Sequence, residues 1–265
     1  MLPYPQIDPV LIHLGPLQVR WYGLMYVAGF IACYLLVRHQ IKRYKLTRLA
    51  DHFENLNLVL ILSLVLGARL GYVLFYNPGY YLENPQDILA TWQGGMSFHG
   101  GLAAMLAGGL IFCHRTGLPF WQTADVYAVT FPIGLGLGRL GNFINGELYG
   151  RVSDVPWAMV FPTGGPLPRH PSQLYEAFLE GLVLFALLWF FKNRYWQQRW
   201  PTGSLLALFL LFYGLFRSFV ELFRQPDAQL GFFFNFLTMG QLLSSLMIAT
   251  GLLILLLRRK SAGPV

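Results

Sequence analysis

Seven long apolar stretches, near residues 21–37, 56–76, 98–113, 124–140, 173–191, 204–223 and 239–257, partition this chain. A helix rising about 1.5 Å per residue needs roughly 20 apolar residues to cross about 30 Å of hydrocarbon. Inside hydrocarbon every backbone N–H and C=O must be satisfied within the protein, so such stretches predict helices. The expectation is an all-α integral membrane protein of seven transmembrane helices, forming a single polytopic membrane domain over residues 1–265. The third and fourth stretches are short and glycine-rich, so their ends are soft. With 12% of residues charged and 55% hydrophobic, an ordinary soluble core is excluded.

The basic residues orient the spans. Arg38, Lys42, Arg43, Lys45 and Arg48 follow the first stretch, Arg115 the third and Lys192, Arg194 and Arg199 the fifth; Arg258, Arg259 and Lys260 close the tail. The alternate loops hold far fewer, chiefly Arg20, Arg151, Arg169 and Arg224. Positive loops stay cytoplasmic, which puts the N-terminus outside and the C-terminus in the cytoplasm. The net charge of +7 therefore lies in membrane-flanking loops and implies no nucleic-acid partner. Residues 77–97 and 151–171 form a small head on the outer side. Residues 1–19, with Pro3, Pro5, Pro9 and Pro16 and no basic start, read as an interfacial segment rather than a signal peptide. Cys33 and Cys113 lie in apolar stretches without metal-type or disulfide spacing, and read as packing residues.

Polar residues that hydropathy does not explain then carry the functional reading. In residues 138–151, Arg139 follows a long apolar run and sits among Gly138, Gly141, Asn142, Asn145, Gly146, Glu147 and Gly150. A charge near membrane depth costs several kcal/mol unless a partner, water or an anionic ligand compensates it. An Arg139–Glu147 ion pair is the plainest alternative, but it needs neither two asparagines nor four glycines. Tyr213, Arg217 and Glu221 share one helical stripe, so an internal Arg217–Glu221 pair is again the plain alternative. Gln173, Glu176 and Glu180 share another face, where interhelical hydrogen bonding suffices. Arg69, within its span, is read as a partner for one of those glutamates. Asp125 is read as a cap on the first turn of the fourth span.

Depth gathers these groups. Arg139 ends an outward-running span, Arg217 lies in the outer half of another, His99 opens the third from outside and Tyr22 stands at the outer end of the first. Two arginines short of carboxylates suit a phosphate, which guanidinium grips with forked bonds. His99, beside them, is a proton acceptor by type. The residues thus point to an enzyme or binder acting on a phospholipid head group from the outer face.

At these residues the chain resembles the bacterial prolipoprotein diacylglyceryl transferase family. The likeness runs through Trp21-Tyr22-Gly23-Leu24-Met25-Tyr26, Gly95-Met96-Ser97-Phe98-His99-Gly100-Gly101 and the whole of 138–151. It continues through Arg169-His170-Pro171-Ser172-Gln173-Leu174-Tyr175-Glu176 and 213–217 to Phe223-Arg224-Gln225-Pro226-Asp227. The resemblance implies transfer of the diacylglyceryl group of phosphatidylglycerol to a lipobox cysteine of prolipoprotein signal peptides, in the inner membrane, with a periplasmic head and site. It implies no cofactor and no metal. The family's essential positions fall on Tyr22, His99, Arg139, Asn142, Glu147, Gly150, Tyr213 and Arg217. Arg139 and Arg217 would clamp phosphate, and His99 would take the thiol proton or position the head group. Catalysis is thus expected of His99, Arg139, Arg217 and Tyr22, and head-group binding of Arg139, Asn142, Glu147, Gly150, Tyr213, Arg217 and Glu221. A head-group transporter and another phospholipid-dependent transferase are the alternatives.

Overall fold

The computed structural model describes residues 2–15, 17–91, 94–225 and 237–260. Pro226 and Asp227, the end of the resemblance, lie outside them. In chain order come strands β1 (Val10–Leu14) and β2 (Leu17–Arg20), then helices α1 (Trp21–Tyr44), α2 (Thr47–Phe75) and α3 (Pro78–Glu83). After a 3₁₀ turn (Pro85–Leu89) follow α4 (Phe98–Thr116), α5 (Phe120–Ala128), α6 (Phe131–Ile144) and α7 (Ser172–Glu176). A π-helical segment (Ala177–Val183) joins α7 to α8 (Leu184–Gln198), and α9 (Ser204–Val220) and α10 (Met239–Arg258) complete the described chain.

Four helical stretches are long and apolar enough to cross a membrane: Trp21–Tyr44, Thr47–Phe75, Ser172–Gln198 and Met239–Arg258. α9 is apolar but shorter. Their solvent-type pattern is inverted relative to a soluble protein. Leu246 and Leu256 are 64% and 70% exposed, while Glu176 and Glu180 are 0% and 1% exposed. Apolar side chains outside and carboxylates inside suit hydrocarbon as the surrounding medium. The protein is a mostly helical membrane protein.

Three expectations are corrected. The fold is not wholly α: Val10–Leu14 and Leu17–Arg20 form an antiparallel pair that sets Val10 against Arg20 and His13 against Gln18. Pro9 and Pro16 disfavour helix through this stretch, whereas Val10, Ile12 and Val19 favour extended backbone. The stretch 124–140 is two helices, because Pro132 lacks the N–H to continue a helix and sits in the first turn of α6. The Thr130 hydroxyl, just ahead of it, donates to the Tyr127 carbonyl at 2.8 Å. Asp125, inside α5, caps a different helix: its carboxylate accepts from the backbone N–H of Gly203 at 2.6 Å and Leu206 at 2.9 Å. Those are orphan donors at the start of α9.

The residues fall into two compact units, Met1–Gln40 with Ala124–Val265, and Ile41–Thr123. In the first, Ala128, Val129, Leu184, Leu188, Tyr195, Leu205 and Phe209 form an apolar core. Helices approach closely at glycines: a Cβ on Gly136 would lie 3.0 Å from the Gly181 Cα, and one on Gly141 3.2 Å from the Tyr22 Cα. In the second unit α2 and α4 run antiparallel on a glycine seam, where a Cβ on Gly71 would lie 2.8 Å from the Gly100 Cα. The Ser97 side chain caps α4 by accepting from the Gly100 N–H at 3.2 Å, and Gly117 ends it with φ +70°.

Candidate active site

Three arginines and three carboxylates meet inside the first unit. Glu176, at the end of α7, is the hub: its Oε2 lies 2.8 Å from Arg139 Nε, and its Oε1 accepts from Arg217 Nη1. Arg217 Nη2 binds Glu221 Oε2 at 2.9 Å one turn on, and Glu180 Oε1 lies 3.9 Å from Nη1. Arg224 Nε approaches Glu176 Oε1 at 3.8 Å, and its Nη1 approaches Glu221 Oε1 at 3.9 Å. The positive formal charges of Arg139, Arg217 and Arg224 equal the negative charges of Glu176, Glu180 and Glu221.

This corrects the expectation of arginines short of carboxylates. Glu176 and Glu180, expected to make interhelical hydrogen bonds or to pair with Arg69, are the counter-ions of Arg139 and Arg217 instead. Their signal was there: two carboxylates four residues apart inside an apolar helix. The π-helical segment widens the turn between them, and the Gly136–Gly181 approach leaves room for that widened turn against α6. Glu221 also lies against the first turn of α10, where a Cβ on Gly240 would meet its Cδ at 2.6 Å. A carboxylate is favoured there by the unpaired N–H groups of a helix start.

The two central arginines differ. Arg217 is buried, and three carboxylates surround it. The Arg139 side chain keeps 22% of its surface exposed. Its Nε is held by Glu176, whereas its Nη1 makes only a 3.5 Å contact with Asn142 Oδ1 and its Nη2 has no partner among the described residues. The forked edge of one guanidinium is therefore held from behind and left open in front.

Residues 142–150 wrap this edge. Asn142 Nδ2 donates to Glu147 Oε1 at 2.8 Å, and Asn145 Nδ2 donates to the same oxygen at 3.1 Å. Arg139 and Glu147 are thus linked through Asn142, not paired directly as the simplest reading had it. The turn uses left-handed backbone at Gly146 (φ +66°) and at Leu148 (φ +58°), the latter costly for a non-glycine residue. Gln173 Nε2 donates to the Glu147 carbonyl at 2.6 Å, and the Ser172 hydroxyl donates to the Leu148 carbonyl at 3.1 Å. Gln173, read from sequence as an interhelical hydrogen-bonding residue, thus bonds to the backbone of the 142–150 turn, and Ser172 beside it does the same.

Gly150 acts through backbone. Its N–H donates to the His170 carbonyl at 2.8 Å, and it pairs antiparallel with Arg224. A Cβ here would run into the Phe223 carbonyl and lie 2.7 Å from His170 Cβ, so only glycine fits. Arg169 donates from Nε to the Gly164 carbonyl at 2.9 Å. Burial pushes the His170 imidazole, which packs against Tyr175 and Phe223, below its usual value. Tyr22, on the first turn of α1, pairs its hydroxyl with that of Tyr26 at 3.1 Å. Tyr213 stacks on Phe209 one turn before Arg217, with ring centroids 5.8 Å apart.

His99 belongs to the second unit. It is exposed in the first turn of α4 and lines a cleft of about 380 Å³ with Phe75, Tyr76, Ser97, Gly100 and Ala103. The loop leading to it is held by Arg69, whose expected carboxylate partner is replaced by backbone. Its Nε donates to the Ile88 carbonyl at 2.8 Å, Nη1 to Gly94 at 2.5 Å and Gly95 at 3.0 Å, and Nη2 to Asp87 at 2.6 Å. Four carbonyl dipoles thus compensate a buried cation without any ion pair. Among the described residues no cluster of His, Cys, Asp and Glu is arranged to hold a metal ion.

The family model described as prolipoprotein diacylglyceryl transferase matches residues 9–257. A phosphatidylglycerol–prolipoprotein diacylglyceryl transferase of Desulfotalea psychrophila is 62% identical over 250 residues, 94% of this chain and 92% of that protein. The proteins of the same name from Photobacterium profundum and Bordetella avium are 52% and 53% identical, over 96% and 100% of this chain and 94% and 100% of their own lengths.

Proposed function

This chain belongs to the prolipoprotein diacylglyceryl transferase family, and from that membership we propose how its residues carry the transfer. The enzyme moves the diacylglyceryl group of phosphatidylglycerol to a prolipoprotein, the first step of lipoprotein maturation. The acceptor is the thiol of a lipobox cysteine. A carbon–sulfur bond forms as the bond from that glyceryl carbon to the phosphate oxygen breaks, and glycerol phosphate leaves with the electron pair. The thiol proton must go to an acceptor, because a thiol of pKa about 8.5 is mostly protonated at pH 7.

One observation supports the assignment of roles best: Arg139 is tethered through Nε to buried Glu176 while its Nη edge stays open beside the Asn142–Glu147 pair. A guanidinium fixed in this way meets the developing phosphate charge without reorganising, which is where catalysis gains most. Arg217 acts through Glu176, holding the carboxylate that holds Arg139. Asn142, Glu147 and Gly150 shape the head-group side; Tyr22 and Tyr213 line it, and Glu221 fixes Arg217. His99 is the base by type, or else the residue that positions the head group.

We read seven spans, α1, α2, α4, α5 with α6, α7 with α8, α9 and α10, as one polytopic domain in the bacterial inner membrane. The basic loops support an outer N-terminus, a cytoplasmic C-terminus and a periplasmic site with a small head. Incubating the protein with phosphatidylglycerol and a lipobox peptide, then weighing the peptide by mass spectrometry, tests the reading. A gain equal to one diacylglyceryl group is expected, and none with Arg139→Gln. Lipid movement between leaflets with an unmodified peptide would instead mean a head-group transporter.

A further inference from the structure

Between the N-terminal segment and the turn after α6, the first unit carries an open pocket of about 420 Å³. Tyr4 roofs it. Its hydroxyl donates to the last carbonyls of α6, Phe143 at 2.7 Å and Ile144 at 3.0 Å, and its ring packs on Phe143 and Phe161. Burial raises the Tyr4 phenol above its usual value. The N-terminal segment is thus fastened to the helix end that carries Asn142.

The lining separates the two substrates. None of its side chains is cationic; Asp8 supplies a carboxylate, Gln6 and Asn145 supply carboxamides, and Ile7 and Pro162 supply apolar surface. A phosphate would meet repulsion and no guanidinium there. An extended polypeptide, whose N–H and C=O groups need partners, fits carboxamides and small apolar faces. Asn145 lines the pocket while its Nδ2 donates to Glu147 Oε1 at 3.1 Å. Glu147 in turn holds Asn142 beside Arg139, so the pocket joins the open guanidinium edge by three consecutive contacts.

We propose that this pocket is the subsite for the prolipoprotein's polar segment flanking its cysteine, with Gln6 and Asn145 as its backbone partners. Resting on the transferase reading, the assignment adds that the N-terminal segment distinguishes the polypeptide from the lipid. The segment bound there presents the neighbouring thiol toward the phosphate held at Arg139.

The test uses the full-length protein in detergent and a fluorescent lipobox peptide whose cysteine is replaced by serine, so binding is read without turnover. Gln6→Ala removes one carboxamide, and Ile7→Trp fills the pocket. Loss of one hydrogen bond makes Gln6→Ala weaken peptide binding about 2- to 13-fold. Ile7→Trp should weaken it at least as much. In turnover assays both should raise KM for the peptide and leave KM for phosphatidylglycerol unchanged. Unchanged peptide affinity in Gln6→Ala overturns the proposal, as does a selective rise in the lipid KM. If the wild-type protein binds peptide in this pattern but forms no thioether, the transferase reading fails and the subsite stands.

Discussion

Arg139→Lys separates recognition of the phosphate from maintenance of the fold. Arginine at this position does two jobs: Nε holds buried Glu176 at 2.8 Å while the Nη edge faces outward. A lysine ammonium can occupy one of those places, not both, and it cannot fork. Glu176 keeps Arg217 as a partner and is not stranded, so the stability change should stay below about 1 kcal/mol, well short of the 3–5 kcal/mol of a broken buried pair. At the transition state one charge-assisted hydrogen bond to phosphate is lost, about 1.5–3 kcal/mol. That corresponds to a fall in kcat/KM of about 10- to 150-fold. Arg217→Lys should reverse the pattern: it loosens Glu176 and Glu221 together inside the cluster, so the unfolding temperature drops before activity can be assigned. Peptide lipidation by mass spectrometry and thermal unfolding in one detergent measure both. Near-normal turnover in Arg139→Lys, or unfolding as severe as in Arg217→Lys, would refute the division of labour.

Other outcomes follow from the same contacts. Gly181→Ala puts a Cβ 2.7 Å from the Gly136 Cα and should depress both stability and transfer, whereas Gly134→Ala, with nothing within 4 Å, should be tolerated in thermal unfolding. Asp125→Ala strands two N–H groups at the start of α9 and should cost about 1–2 kcal/mol, seen as a lower unfolding temperature. If His99 is the base, His99→Gln should lose turnover but regain part of it as pH rises toward the thiol's pKa of about 8.5, since the substrate then ionises unaided. Loss without alkaline recovery makes His99 a positioning residue. In intact cells, cysteines in the loop 42–48 should be shielded from an impermeant thiol reagent and cysteines near Pro166 should react; the reverse labelling would invert the topology.

Much of this molecule was written in local sequence. Six of the seven apolar stretches coincide with single helical runs, because in hydrocarbon a backbone has few choices other than helix. The polar residues out of keeping with their surroundings, Arg139, Asn142, Glu147, Arg217 and Glu221, were also visible, since an intramembrane charge is costly wherever it sits. The pairing was not visible. Arg139 takes its carboxylate from Glu176 in another helix, Arg69 takes backbone carbonyls instead of any carboxylate, and Asp125 caps α9 rather than its own helix. Hydropathy sums over neighbours in the chain, whereas partnership depends on the rotation and depth of each helix against the next. Those are set by close approaches such as Gly136 on Gly181 and by the π-helical turn that aligns Glu176 and Glu180. The sequence therefore determined that charges had to be buried together, and the tertiary structure decided which arginine is locked among carboxylates and which keeps an open edge.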